Sequence, residues 1–248
     1  MANTQFMEKW KAAAPSGSRH NAMARGPRIV LPNVVHHVVS RGNDKMAIFK
    51  NGQEKERYLR RFLLVAAEEK VWVQGYCIMD NHVHWLLTPT TANGLARLFR
   101  RVHTWWAMTF NRKHGRTGHL MQGRFHSSPL AEDHYWTALR YVELNPLRAH
   151  LVRRAEDFAF SSARARLAGA EDRFVAITPI ATRCLYSRHE WRAFLEESDP
   201  AHDQALRKAL PSSLPCGSSE WIRGLEKQFH RKLTWSPPGR HLASASPL

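Results

Sequence analysis

Two histidines separated by one residue, and a tyrosine followed one helical turn later by an asparagine, are the side chains best placed to do chemistry in this 248-residue chain. His82 and His84 lie in the stretch DNHVHWLLTP. In extended backbone, residues i and i+2 share a face, so the two imidazoles would aim together, with Val83 and Trp85 on the other side. Such a pair can hold one divalent cation. Composition tempers this reading, because 15 histidines in the chain produce about one His-x-His by chance. The second constellation is ALRYVELNPLR, in which Asn145 follows Tyr141 by one helical turn, so phenol and carboxamide share a helix face. Together these groups fit phosphoryl transfer, with the tyrosine oxygen attacking a DNA phosphorus to leave a covalent phosphotyrosine. A phenol with an ordinary pKa near 10 needs help to lose its proton, and a divalent cation would polarise the phosphate and align the leaving oxygen. Without these partners, Tyr141 reads as an ordinary amphipathic-helix tyrosine.

Charge points to the same class of partner. Thirty-seven Lys and Arg against 21 Asp and Glu give a net charge of +16, a field that attracts polyanions. From Asn81 to Ala131 there is no acidic residue, while Arg97, Arg100, Arg101, Arg112, Lys113, Arg116 and Arg124 fall in that span, interleaved with Phe99, Trp105, Trp106, Phe110 and Phe125. Cations suit phosphates and flat rings can stack on unpaired bases, although each aromatic taken singly also reads as core. No strongly amphipathic surface helix accompanies the charge, which favours nucleic acid over an anionic membrane. The longest apolar run, FLLVAA, is far too short to cross a bilayer, which takes about 20 residues. The N-terminus lacks the apolar stretch of a secretory signal. Cys77, Cys184 and Cys216 have no metal or redox spacing and read as reduced thiols.

The elements that must position these groups follow from periodicity. Residues 33–40 (NVVHHVVS) read as a strand, 51–70 as an amphipathic helix, 71–79 (VWVQGYCIM) and HVHWLLT as strands joined by an Asp80-Asn81 turn, and 91–115 as a long helix ending at Gly115. HLMQGRFHSSPL holds a short strand, and 131–151 starts as a helix that Pro146 ends or breaks. This order predicts an α+β fold, a small antiparallel sheet with helices packed on it. His37, on the first strand, reads as a structural histidine rather than a flank of the site. Arg41, Asn43 and Arg124 sit in polar loops and read as DNA contacts, or else as a turn network. Beyond residue 160 shorter helical pieces follow, around 189–197 and 203–209. A Ser-capped helix in SSEWIRGLEKQFHRKL precedes a Pro/Gly tail.

The motifs SRGNDKMAIF, YCIMDNHVHWLL, FNRKHGRTGHLMQGRF and RYVELNPLRAHLV resemble, in order and spacing, those of REP-associated tyrosine transposases, single-tyrosine transposases of the HUH (His–hydrophobic–His) endonuclease superfamily. The resemblance covers residues 24–163, and the segment SSEWIRGLEKQFHRKL is similar to a C-terminal piece of one branch of that family. It implies a ferredoxin-like HUH domain over residues 24–160. Composition adds a basic, poorly ordered extension over 1–23 before it and a helical region over 161–248 after it, a candidate for DNA binding. The resemblance implies Mg²⁺ or Mn²⁺ held by His82, His84 and Asn145, with Tyr141 as nucleophile. It also implies single-stranded or hairpin DNA as partner. Charge and loop position assign its contacts to Arg41, Asn43, Arg100, Arg101, Arg112, Lys113, Arg116 and Arg124. No membrane and no small-molecule substrate is implied, and the setting is the bacterial cytoplasm, at the nucleoid. Monomer and homodimer stay open. Related insertion-sequence transposases commonly carry Gln where this chain has Asn145. Asn is shorter, and Pro146 disfavours helical geometry at residue 145, so ligation by Asn145 is less secure than by the histidines. Two imidazoles and an amide oxygen tilt a site towards Mn²⁺ over Mg²⁺.

Two other classes compete with a metal-dependent DNA strand transferase. One is a domesticated relative that grips hairpin DNA without cutting it. The other is a metal hydrolase with an activated water, which the acid-free stretch around the histidines disfavours for want of a carboxylate base.

Overall fold

The computed structural model describes residues 28–168, 187–197 and 199–234. The extension expected over 1–23, Cys184 and the Pro/Gly tail lie outside these residues.

The β-branched run at the start forms β1 (His36–Arg41). Helix α1 (Gly52–Glu68) starts where the Asn51 side chain accepts a hydrogen bond from the Glu54 N–H, satisfying one donor of the first turn. β2 (Val71–Ile78) and β3 (His82–Pro89) form the expected hairpin across Asp80-Asn81. Helix α2 (Gly94–Lys113) and the short β4 (His126–Pro129) follow. All pairings are antiparallel and the strand order is β2-β3-β1-β4. A strand–helix–strand–strand–helix–strand chain in this order is the ferredoxin-like arrangement, the α+β architecture expected from the sequence.

The period of two along β3 divides the sheet into two faces. Val83, Trp85 and Leu87, with Val38 of β1, enter a core filled by α1 and α2. There Trp85 stacks on Phe62 with ring centroids 3.6 Å apart. The opposite face, with Cys77 and Leu86, is covered by α3 (Tyr135–Glu143) through Leu139 and Val142. A short turn of helix, α4 (Asn145–Arg148), continues α3, with Pro146 at its start. The chain then passes through α5 (Ala163–Ala168), α6 (Arg188–Glu196), α7 (Pro200–Ser212) and α8 (Ser219–Phe229). Trp191 of α6 and Leu206 of α7 complete the core beneath α3.

The later segments also close both edges of the sheet. Ile78 N–H donates to the Phe160 carbonyl and Ser162 N–H to the Tyr76 carbonyl, beside a Cys77–Ser161 bridge, so residues 160–162 run along β2. Cys216 runs along the other edge, donating to the Pro129 carbonyl and accepting from Ala131 N–H. Edge groups satisfied in this way are not open to pairing with another chain. The division expected at residue 160 thus falls on a segment hydrogen-bonded to β2. Cys77 and Cys216 are buried free thiols. Among the described residues, no helix is long and apolar enough to cross a membrane.

Candidate active site

The imidazoles of His82 and His84 share the sheet face that α3 covers, with ring centroids 5.0 Å apart. Each has one ring nitrogen engaged. His82 Nδ1 lies 2.6 Å from Asn81 Oδ1, and the Asn81 amide in turn donates to the Lys45 carbonyl. His84 Nδ1 lies 3.0 Å from Nε2 of His37. The Nε2 atoms of His82 and His84 make no hydrogen bond to the described residues. These are the atoms that a cation would use, and a metal-binding histidine ordinarily has its other nitrogen held in this way. Burial keeps all three rings neutral near pH 7. His82 is pushed down to about 4 by burial and by Arg41, and His37 to about 3 by burial. His84 is driven well below its ordinary value by burial first, then by its two histidine neighbours, Arg41 and Arg148. Neutral imidazole is the form that ligates. Among the described residues no three His, Cys, Asp or Glu side chains converge on a metal-sized site, so a third protein ligand here would be a group such as an amide oxygen.

Helix α3 brings Tyr141 onto this cluster. Its ring lies 5.8 Å from the His37 ring and 6.1 Å from that of His84, both edge-on. Asn145 stands one turn later, and its amide nitrogen donates to the carbonyls of Tyr141 (2.9 Å) and Val142 (3.2 Å). Pro146 has no N–H to offer the Val142 carbonyl, so Asn145 fills the gap and the helix continues in direction through Leu144. Helical geometry at residue 145 therefore survives the proline. The remaining amide atom of Asn145, its oxygen, accepts no hydrogen bond from the described residues and is the atom able to ligate a cation.

Two guanidinium groups lie over the Tyr141 ring, Arg148 at 4.6 Å and Arg207 at 6.0 Å from its centroid. Arg148 also donates to the Tyr141 carbonyl (2.8 Å) and to Asp203 of α7 (2.9 Å). These arginines, with Arg140 and three carboxylates of the 197–203 segment, line a polar cavity of about 370 Å³ next to α3. Sequence reasoning missed Arg148, although it lies two turns beyond Tyr141 on one helical face, the same spacing logic that paired Tyr141 with Asn145. It also took His37 for a satisfied structural histidine. The neighbouring His36 is one, with both ring nitrogens engaged by Leu31 and Ser127. His37 instead has one nitrogen on His84 and the other buried without a partner.

The expected DNA contacts separate into two groups. Arg41 pairs directly across from His82 and is exposed at the mouth of the site. Asn43 N–H donates to the Leu120 carbonyl and Gln122 N–H to the Arg41 carbonyl, which gathers the Arg41–Asn43 turn and the 116–124 loop. In that loop Arg116 rests on the Met46 sulfur and Arg124 is exposed. Arg100, Arg101, Arg112 and Lys113 belong to α2, which packs on the opposite sheet face. Arg101 pairs with Glu68 and Glu69, and Lys113 with Glu54, all on α1 or its C-cap. The acid-free run in the sequence is therefore not an acid-free surface, because the fold supplies its carboxylates from a neighbouring helix. Arg100 and Arg112 remain exposed.

Residues 31–145 match the family model described as "Transposase IS200 like". The matched segment runs from just before β1 to Asn145 and includes His82, His84 and Tyr141. No curated protein matches the chain significantly. A solved structure described as "Structure of the REP associates tyrosine transposase bound to a REP hairpin" shares 17% sequence identity at a TM-score of 0.49, covering 59% of this chain and 86% of that one.

Proposed function

We propose that this chain is a transposase that cuts and rejoins single-stranded DNA beside hairpin elements, using Tyr141 as nucleophile and a divalent cation held by His82, His84 and the Asn145 oxygen. The observation that carries the reading is the placement of the Tyr141 ring 6.1 Å from His84 on a two-histidine face, inside the segment that matches a transposase family. In the first step the Tyr141 oxygen attacks the scissile phosphorus. The oxygen–phosphorus bond to tyrosine forms as the bond to the 3′ oxygen breaks. The phenol loses its proton and the leaving 3′ oxygen gains one, giving a 5′-phosphotyrosine link and a free 3′-OH. Rejoining is the reverse attack by a 3′-OH on that link. The Arg148 guanidinium lies over the ring, and Arg41 across from His82 meets the entering phosphate backbone. When bound, the cation would supply Lewis-acid polarisation of the phosphate. The donor set suits Mn²⁺ at least as well as Mg²⁺.

Separate variants test this reading. His82→Ala and His84→Ala should each abolish Mn²⁺-dependent cleavage of a labelled hairpin oligonucleotide while hairpin binding in a gel-shift assay persists. Cleavage that survives both changes would remove the metal site from the account, and wild-type protein that binds but never cuts would favour a hairpin-binding protein instead.

A further inference from the structure

The His37–His84 contact has a polarity, and that polarity decides whether His84 can take a cation. The two rings meet through one hydrogen bond, His37 Nε2 to His84 Nδ1 at 3.0 Å, with centroids 5.3 Å apart and planes 29° from parallel. A neutral imidazole carries a single proton, on one nitrogen or the other. If His37 donates, His84 accepts at Nδ1, its own proton sits on Nε2, and it has no lone pair facing the site. If His84 donates from Nδ1, its Nε2 lone pair is free, and His37 must accept at Nε2 and carry its proton on Nδ1.

We infer that His37 is a positioning residue that holds His84 in the Nδ1–H tautomer, so that His84 presents its Nε2 lone pair before any cation arrives. This rests on the proposed role of His84 as a ligand. The unusual surroundings of His37 support it. The side chain is wholly buried and its Nδ1 has no hydrogen-bond partner among the described residues. A buried polar atom without a partner calls for an explanation. A packing role would be served as well by an apolar side chain of similar size, whereas a ring whose one engaged nitrogen meets His84 Nδ1 has a reason to be histidine. The register adds to this. His37 pairs with Leu86 and Val39 with His84, so His37 reaches His84 diagonally along one sheet face, and the contact depends on the β1–β3 alignment. His82 is held by the equivalent device, an acceptor oxygen of Asn81 on its Nδ1, so both presumed ligands present Nε2.

The test begins with the unaltered, metal-free protein. Long-range ¹H–¹⁵N correlation of histidine-labelled protein should show Nδ1–H for His84 and for His37, and Nε2–H on His84 overturns the inference. Calorimetric titration with Mn²⁺ supplies the second arm. His37→Phe should weaken binding by about 10- to 100-fold, the usual cost of losing such an outer partner, and His37→Gln, whose carbonyl can accept in place of Nε2, should recover most of it. Thermal melts of the metal-free variants identify any that fail to fold, and the spectrum of the unaltered protein decides the matter without them. His84→Ala distinguishes the two ideas. If it leaves Mn²⁺ affinity unchanged, the metal reading itself falls and this inference with it. If it abolishes binding while folded His37→Phe binds as tightly as the unaltered protein, the role of His37 alone is refuted.

Discussion

Glu143 lies two residues beyond Tyr141 on α3, wholly buried, and its carboxylate anchors that helix to the C-terminal segments. It accepts hydrogen bonds from the Ser162 hydroxyl (2.7 Å), the Trp191 indole N–H (2.8 Å) and the Arg166 guanidinium (3.1 Å). The Arg166 side chain is itself only 8% exposed. Glu143→Ala removes all three acceptor contacts and strips a buried guanidinium of its carboxylate. Breaking a buried pair from one side costs about 3–5 kcal/mol, about a fifth or more of the stability of an ordinary domain. With a urea slope of about 2 kcal/mol/M, the unfolding midpoint should fall by about 2 M. Replacing both partners, Glu143→Leu with Arg166→Met, leaves no orphaned charge and should be markedly more stable than the two single effects added together. A midpoint for Glu143→Ala within about 0.5 M of the parent, or strict additivity in the double variant, would refute the claim that this buried carboxylate fixes the helix carrying Tyr141.

Other consequences can be measured as directly. Gly42 follows Arg41 in a turn where an added Cβ would lie 2.2 Å from the Met46 carbonyl oxygen and 2.8 Å from Ile48. Gly42→Ala should therefore cost about 3 kcal/mol in urea unfolding, and a neutral substitution would mean that the turn gives way. Burial pushes His36 down to about 4 and His37 to about 3, so below pH 6.5 the unfolded chain binds protons that the folded chain refuses. Stability is full above pH 6.5 and falls as the pH drops towards those values, by up to about 1.4 kcal/mol per pH unit for each ring. Tm should be lower at pH 5.0 than at pH 7.5, and an unchanged or higher Tm at pH 5.0 contradicts the burial argument. Exposed Arg41 at the mouth of the site should contribute one phosphate contact, so Arg41→Ala should weaken hairpin binding and reduce its salt slope by about 1. An unchanged slope places the DNA elsewhere.

The parts of the site that were legible in the sequence are those fixed by local periodicity. His82 and His84 share a face because a strand repeats every two residues, and Tyr141 and Asn145 share one because a helix repeats every 3.6. The strand and helix order was legible for the same reason and led to the right sheet. What local periodicity cannot reach is pairing between distant segments. His37 meets His84 only through the β1–β3 register. Glu54, Glu68 and Glu69 neutralise α2 cations only because α1 packs beside α2. The boundary expected at residue 160 meets chain that docks on β2, where Ser161 bridges to Cys77 and the Ser162 hydroxyl holds Glu143. The helical turn at Asn145 also lay beyond a rule about residues before proline, because its side chain caps the carbonyls that Pro146 leaves open.

The central claim, that Tyr141 becomes covalently joined to DNA, has a direct measurement. The full chain is incubated with Mn²⁺ and a hairpin oligonucleotide labelled on either side of the scissile phosphate, then digested and analysed by mass spectrometry for a nucleotide-bearing peptide. The account predicts an adduct on the peptide containing Tyr141, carrying the label 3′ to the cut, and its loss in Tyr141→Phe with hairpin binding retained. An adduct on another residue, or cleavage by Tyr141→Phe at the parent rate, would contradict it.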